Sequence, residues 1–110
     1  MKMNPLGRTG ISVPELCLGT MTFGTQTPEA EGHEQIDMAL AAGLNFLDTA
    51  EMYPVNPISA ETQGDSERVI GTWLAKTGRR DEVTIASKHS GNGWAHIRDK
   101  AGISAASIPE

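Results

Sequence analysis

Short apolar runs and amphipathic stretches alternate along the chain, and their order predicts its elements. Leu6 and Ile11-Ser12-Val13 flank the turn cluster Gly7-Arg8-Thr9-Gly10, which predicts a hairpin; Pro5 and Pro14 fit there only at strand ends or edges, since proline cannot donate to a ladder. Glu15-Leu16-Cys17-Leu18-Gly19-Thr20 holds a short apolar run of the kind found in parallel strands buried on both faces, and it leads into the glycine-flanked loop Gly19-Thr20-Met21-Thr22-Phe23-Gly24. A helix follows, with Thr27 as N-cap, Pro28 at the first helical position and Glu29 and Glu31 facing the positive end of the macrodipole. Its apolar face is Ile36, Ala39, Leu40 and Gly43, with Gly43 as the stop. Leu44-Asn45-Phe46-Leu47-Asp48 reads as a second strand. Tyr53 to Gly64, with two prolines and no periodicity, reads as a long loop. Asp65-Ser66-Glu67 opens a second helix with Val69, Ile70, Trp73 and Leu74 on its apolar face, Lys76 in its last turn and Gly78 just past its end. Val83 to Lys88 is a β-branched third strand. Beyond His89 the pattern weakens, and Ser104-Ala105-Ala106-Ser107 can only begin a helix before Pro109 interrupts it.

A hairpin followed by β, α, β, α, β implies right-handed crossovers and a parallel sheet, an α/β fold without an internal linker. At 110 residues the chain suits one small domain. It is too short for a complete (β/α)8 barrel, which needs about 250 residues. With 9 basic and 14 acidic side chains the net charge is −5, and no basic tract is present, which argues against nucleic acid or an anionic membrane as the main partner. No apolar stretch approaches the roughly 20 residues of a membrane span, and no apolar segment follows the charged N-terminus as in a secretion signal, so the expected location is cytoplasmic. The single cysteine, Cys17, excludes an internal disulfide and a structural zinc site; its apolar neighbours predict a small buried residue rather than a nucleophile.

Functional groups in parallel α/β sheets gather at the C-terminal ends of the strands. Gly19-Thr20, Asp48 and Lys88 all fall there, and Tyr53, five residues past Asp48, can fold back over that edge. A phenol, with an ordinary pKa of about 10, is a poor proton relay near neutral pH. An adjacent ammonium stabilises the phenolate, and a carboxylate keeps the ammonium charged and oriented. Such a unit can protonate the alkoxide that develops when a carbonyl accepts hydride. Spacing alone favours a structural Asp48–Lys88 ion pair with Tyr53 as a loop anchor, since single Asp, Tyr and Lys residues are common.

The landmarks also occur in a familiar order. Leu6-Gly7-Arg8-Thr9-Gly10-Ile11-Ser12-Val13 and Leu18-Gly19-Thr20-Met21-Thr22-Phe23-Gly24 resemble the opening of the aldo/keto reductase superfamily. Ala41-Ala42-Gly43-Leu44-Asn45-Phe46-Leu47-Asp48-Thr49-Ala50-Glu51-Met52-Tyr53 resembles its second-strand signature, and Ser66-Glu67-Arg68-Val69-Ile70-Gly71 and Ile85-Ala86-Ser87-Lys88 resemble the next two landmarks. The stretch Glu51 to Gly64 is similar to the bacterial branch with an extended loop after the tyrosine. The resemblance implies a hairpin plus the first three β/α units of a (β/α)8 TIM barrel, incomplete, with residues 1–110 as the N-terminal part of an NADPH-dependent reductase of aldehydes and ketones. It implies Tyr53 as general acid, Lys88 lowering its pKa, Asp48 pairing with the lysine, and Gly19, Thr20, Met21 and Asp48 beside the nicotinamide and its ribose. The family's strand-four histidine has no counterpart here, nor do the later-strand residues that grip the amide and the 2′-phosphate. His89 and His96 do not match that histidine's surroundings and read as loop residues.

Other features read as structural. Gly19 and Gly24 lack the rest of a dinucleotide fingerprint or a P-loop. Arg79-Arg80 reads as a solvated basic spot, His33 as a surface residue, Trp73 as core, and Trp94, after Gly91-Asn92-Gly93, as a loop anchor ahead of a pocket wall. The leading expectation is the N-terminal portion of a carbonyl reductase, poorly stable and inactive alone. One alternative is a non-catalytic module that self-associates through unpaired strand edges; another is a compact three-stranded domain with its own ligand site.

Overall fold

The elements come in the expected order in a computed structural model that describes residues 1–91, 94–97 and 102–108. The hairpin forms between β1 (Met3–Pro5) and β2 (Ser12–Pro14), antiparallel, with Met3 opposite Pro14 and Pro5 opposite Ser12. Leu6 and Ile11 sit inside the turn rather than in the strands, where the Leu6 amide donates to the Ile11 carbonyl at 2.8 Å.

Behind the hairpin lie β3 (Leu18–Gly19), α1 (Glu29–Ala41), β4 (Phe46–Asp48), α2 (Asp65–Thr77), a 3-10 turn over Arg80–Glu82 and β5 (Thr84–Ala86). The three strands form one parallel sheet in the order β3-β4-β5, so strands adjacent in sequence are adjacent in space. This is the opening of a (β/α)8 barrel: a hairpin, three parallel strands and the two helices that connect them. Ser104 to Ile108 makes a turn rather than a helix, held by Ser107 and Ile108 amides on the Ser104 carbonyl. Pro109, Asn92 and Gly93, to which the sequence assigned a helix stop and a loop, lie outside the described residues.

The core is Phe23, Ile36, Leu47, Val69, Ile70, Trp73 and Val83, with Leu18, Leu40, Leu74 and Ile85 packed around it. The α2 face is the expected one. The α1 face is wider than expected, because Gly32 and His33 are buried alongside Ile36. A Cβ on Gly32 would lie 3.0 Å from Val69 and 3.2 Å from Phe23, so the absent side chain is what lets the two helices close on each other. His33 is therefore not a surface residue. Its Nε2 lies 3.0 Å from the Val69 carbonyl and 3.0 Å from the Thr72 hydroxyl, which satisfies the buried ring across the helix interface. Trp73 is wholly buried, yet its indole N–H reaches Asp37 at 2.9 Å on α1.

Two further expectations are corrected. Thr27 does not cap α1: the helix starts at Glu29 after Pro28, without a side-chain cap, and the Thr27 hydroxyl pairs with that of Thr22 at 2.9 Å. The run Leu16-Cys17-Leu18 is not buried on both faces. Only Leu18 enters the ladder, Leu16 is 58% exposed and Cys17 is exposed, because β3 pairs on one side alone among the described residues. The stop at Gly43 does hold: at φ 82° it lets its own amide reach the Leu40 carbonyl and the Leu44 amide reach that of Ala39, closing the last turn.

The packing makes a direct prediction. Ile36→Ala, in the core, costs about 2–5 kcal/mol in urea unfolding, whereas Met38→Ala, two residues along the same helix and 70% exposed, changes stability by less than about 0.5 kcal/mol.

Candidate active site

Parallel register sets the site. Gly19 pairs with Asp48 and Asp48 with Ala86, so all three strands end at one level. Lys88 lies two residues past Ala86, and its side chain returns toward β4. The ammonium nitrogen donates to Asp48 Oδ2 at 2.7 Å, to the Thr49 carbonyl at 2.9 Å and to the Tyr53 hydroxyl at 3.2 Å. It also stands 4.7 Å from the centroid of the Tyr53 ring. An ammonium has three protons to give, and these three oxygens accept them. The structure thus brings Asp48, Tyr53 and Lys88, proposed from sequence, into one cluster.

The cluster is open to solvent, with the Lys88 and Asp48 side chains 47% and 37% exposed. Partial burial pulls the Lys88 pKa down, but the hydrogen bond to Asp48, then that to Tyr53, and the charges of both outweigh it. Lys88 therefore titrates above the ordinary lysine value. The neighbouring Cys17 thiol is shifted up by the atoms packed on it and then by the Asp48 carboxylate, with Lys88 opposing. A thiol raised in this way is a weak nucleophile at neutral pH.

The four residues expected on the nicotinamide side occupy different positions. Gly19 and Met21 are exposed at the sheet edge, and the space where a Gly19 Cβ would sit is open. Thr20 is fully buried, and both its amide (3.0 Å) and its hydroxyl (2.9 Å) donate to the Asp48 carbonyl. It supports Asp48 from beneath. Asp48 keeps Oδ2 on Lys88.

The loop after β4 is tied at both ends. The Tyr53 amide donates to the Ala50 carbonyl at 3.0 Å, while the Tyr53 carbonyl receives the amides of Gly64 at 2.9 Å and Ser66 at 3.3 Å. On the other side, Glu51 Oε1 accepts the Ser90 amide at 2.6 Å and draws the loop after β5 alongside. His89 Nδ1 meets the Ser90 carbonyl at 2.8 Å, and His96 Nε2 meets Gln63 Oε1; Trp94 stands against His96 with ring centroids 5.9 Å apart. His96 therefore meets the extended loop through Gln63, and Trp94 packs behind it against the His96 ring. Sequence reasoning missed the Thr49 carbonyl, Ser66 and Glu51. A backbone acceptor leaves no trace in a sequence; Ser66 had one, as a small hydroxyl in the first turn of a helix.

Comparison with known proteins agrees with this architecture. The sequence pattern of the aldo/keto reductase family matches residues 15–108. Protein tas of Escherichia coli is 50% identical over 91 residues, covering 83% of this chain and 26% of that protein. The uncharacterized oxidoreductase YrpG of Bacillus subtilis is 43% identical over 89 residues, 80% of this chain and 26% of its own length. Among solved structures, the holo form of aldo-keto reductase AKR11C1 from Bacillus halodurans superposes with a TM-score of 0.68 at 33% identity, over 86% of this chain and 28% of that one. The chain thus spans about a quarter of the length of these relatives. With nearly all of its length inside the family's sequence pattern and the same fold as a solved member, the chain belongs to the aldo/keto reductase family.

Proposed function

We propose that the chain carries the proton-transfer half of a carbonyl reductase site, as the N-terminal part of a barrel completed by further strands. The observation that carries this reading is one ammonium nitrogen bonded at once to a carboxylate, at 2.7 Å, and to a phenol, at 3.2 Å, at the C-terminal edge of a parallel sheet. The substrate class is a small aldehyde or ketone.

The donor set fits a nicotinamide cofactor. Gly19 and Met21 are exposed at the sheet edge, where no atom of the described residues lies within 4 Å of the place of a Gly19 Cβ. Asp48 offers a half-exposed carboxylate to ribose hydroxyls, and Thr20 fixes the Asp48 backbone. NADPH, when bound, supplies the hydride that reduces the carbonyl carbon. As negative charge grows on the carbonyl oxygen, Tyr53 gives it the phenol proton, and the Lys88 ammonium stabilises the phenolate left behind. Asp48 and the Thr49 carbonyl hold that ammonium in place, so it need not reorganise during the transfer.

Three outcomes test this reading. In the complete polypeptide that carries this segment, Tyr53→Phe lowers kcat for NADPH oxidation with a nitrobenzaldehyde by about 100-fold or more and changes KM less; an unchanged rate would sink the assignment. In the 110-residue chain Tyr53 is the single tyrosine, so the ultraviolet phenolate band reports on it alone. At a fixed pH near 10, about where phenols ionise, Lys88→Met reduces that band. Because the folded-state pKa of Lys88 is raised, the stability from its pairing is complete below the ordinary lysine value and is lost as pH climbs through the raised one. The difference in unfolding midpoint between wild type and Lys88→Met therefore narrows at strongly alkaline pH.

A further inference from the structure

Ser66 lies at the second position of α2, is completely buried and touches no group of the Asp48–Lys88–Tyr53 cluster through its side chain. Its hydroxyl donates to the Phe23 carbonyl at 2.7 Å, in the loop that follows β3. Its amide, with that of Gly64, is one of the two that meet the Tyr53 carbonyl, at 3.3 and 2.9 Å. The first amides of a helix have no partner within it, and α2 has no side-chain cap. The main chain of Tyr53 takes that role for Ser66, as that of Thr62 does for Asp65.

The bonds form a circuit. Thr20 donates to the Asp48 carbonyl, the Phe23 amide donates to the Thr20 carbonyl at 3.0 Å, Ser66 donates to the Phe23 carbonyl, and the start of α2 donates to the Tyr53 carbonyl. Lys88 closes it between the side chains of Asp48 and Tyr53. The contact between the β3–α1 loop and α2 leaves little slack, since a Cβ on Gly24 (φ 96°) would lie 2.7 Å from the Asp65 Cβ. We propose that Ser66 is a positioning residue: its hydroxyl bond to Phe23 fixes the first turn of α2 against the loop after β3, and the amides of that turn fix Tyr53 so that its phenol meets Lys88. This rests on the reading of Tyr53 as proton donor. The residue type follows from the setting. Alanine offers no proton to a buried carbonyl, and aspartate sets an acceptor and a charge against it.

The test uses the phenolate band of Tyr53, the chain's single tyrosine, at a fixed pH near 10. Far-ultraviolet circular dichroism reports helix content in parallel. Lys88→Met alone tests the underlying reading; if it leaves the band unchanged, that reading fails. If it reduces the band, Ser66→Ala is expected to give about half or more of the same reduction, and the double variant little beyond Lys88→Met alone, because both changes remove one coupling. A wild-type band in Ser66→Ala, or a double variant whose loss is the sum of the two, overturns the Ser66 role and leaves the Lys88 reading intact. Should Ser66→Ala lose its helix signal, Ser66→Thr and Ser66→Cys decide. The threonine variant keeps the hydroxyl and is expected to keep the band, while the cysteine variant, a weak donor of similar size, is expected to lose part of it. A cysteine variant with the wild-type band overturns the proposal.

Discussion

The site depends on a registry constraint that ends in one nitrogen atom. Parallel pairing sets Asp48 level with Ala86, and two residues later the chain carries a lysine whose length brings its nitrogen back to β4. A shift of one residue in that ladder would turn the Lys88 side chain to the other face of the sheet and leave Asp48 without a partner. The ammonium is partly desolvated at this edge, a cost that would lower its pKa if nothing met it. The hydrogen bonds and charges of Asp48 and Tyr53 more than offset that cost. The loop after β4 therefore has a charged centre to fold around, and Tyr53 is held there by its side chain as well as by its main chain.

The second constraint is the start of α2. A helix end requires acceptors for its leading amides: here the Asp65 amide meets the Thr62 carbonyl, and the Ser66 amide meets that of Tyr53, about a dozen positions before the helix. The extended loop between Tyr53 and Gly64 is thereby closed on itself. Its two ends meet at the Tyr53 carbonyl, while Gln63 reaches across to His96. Length in this loop therefore does not loosen the tyrosine, since the bonds that orient it lie at the base of the loop and not along its span.

Much of this was legible from residue order. The glycines at 43 and 78 marked both helix ends because left-handed backbone there is nearly glycine's alone. The apolar spacing of Val69, Ile70 and Trp73 gave the buried face of α2, and the ends of the strands gave Asp48 and Lys88 as neighbours. What escaped was set by tertiary contact. His33 looked like a surface residue because its partners, the Val69 carbonyl and Thr72, lie on the other helix; only the close approach at Gly32 buries it. Cys17 looked buried because its neighbours are apolar, but it precedes β3, which among the described residues pairs on one side alone and leaves the thiol exposed. Thr27 has the composition of a cap and is drawn away by Thr22. Family resemblance supplied the roles proposed for the cluster, and geometry supplied the contacts.

The central claim is that Lys88 and Tyr53 meet in solution. Nuclear Overhauser contacts between the Lys88 ε-methylene protons and the ring of the single tyrosine test it most directly, because the ammonium lies 4.7 Å from the ring centroid. The account predicts such contacts, with the methylene resonances displaced by the ring current and returning to ordinary lysine positions in Tyr53→Leu. A Lys88 side chain with no contact to the ring and unshifted methylene resonances in the folded chain would contradict it.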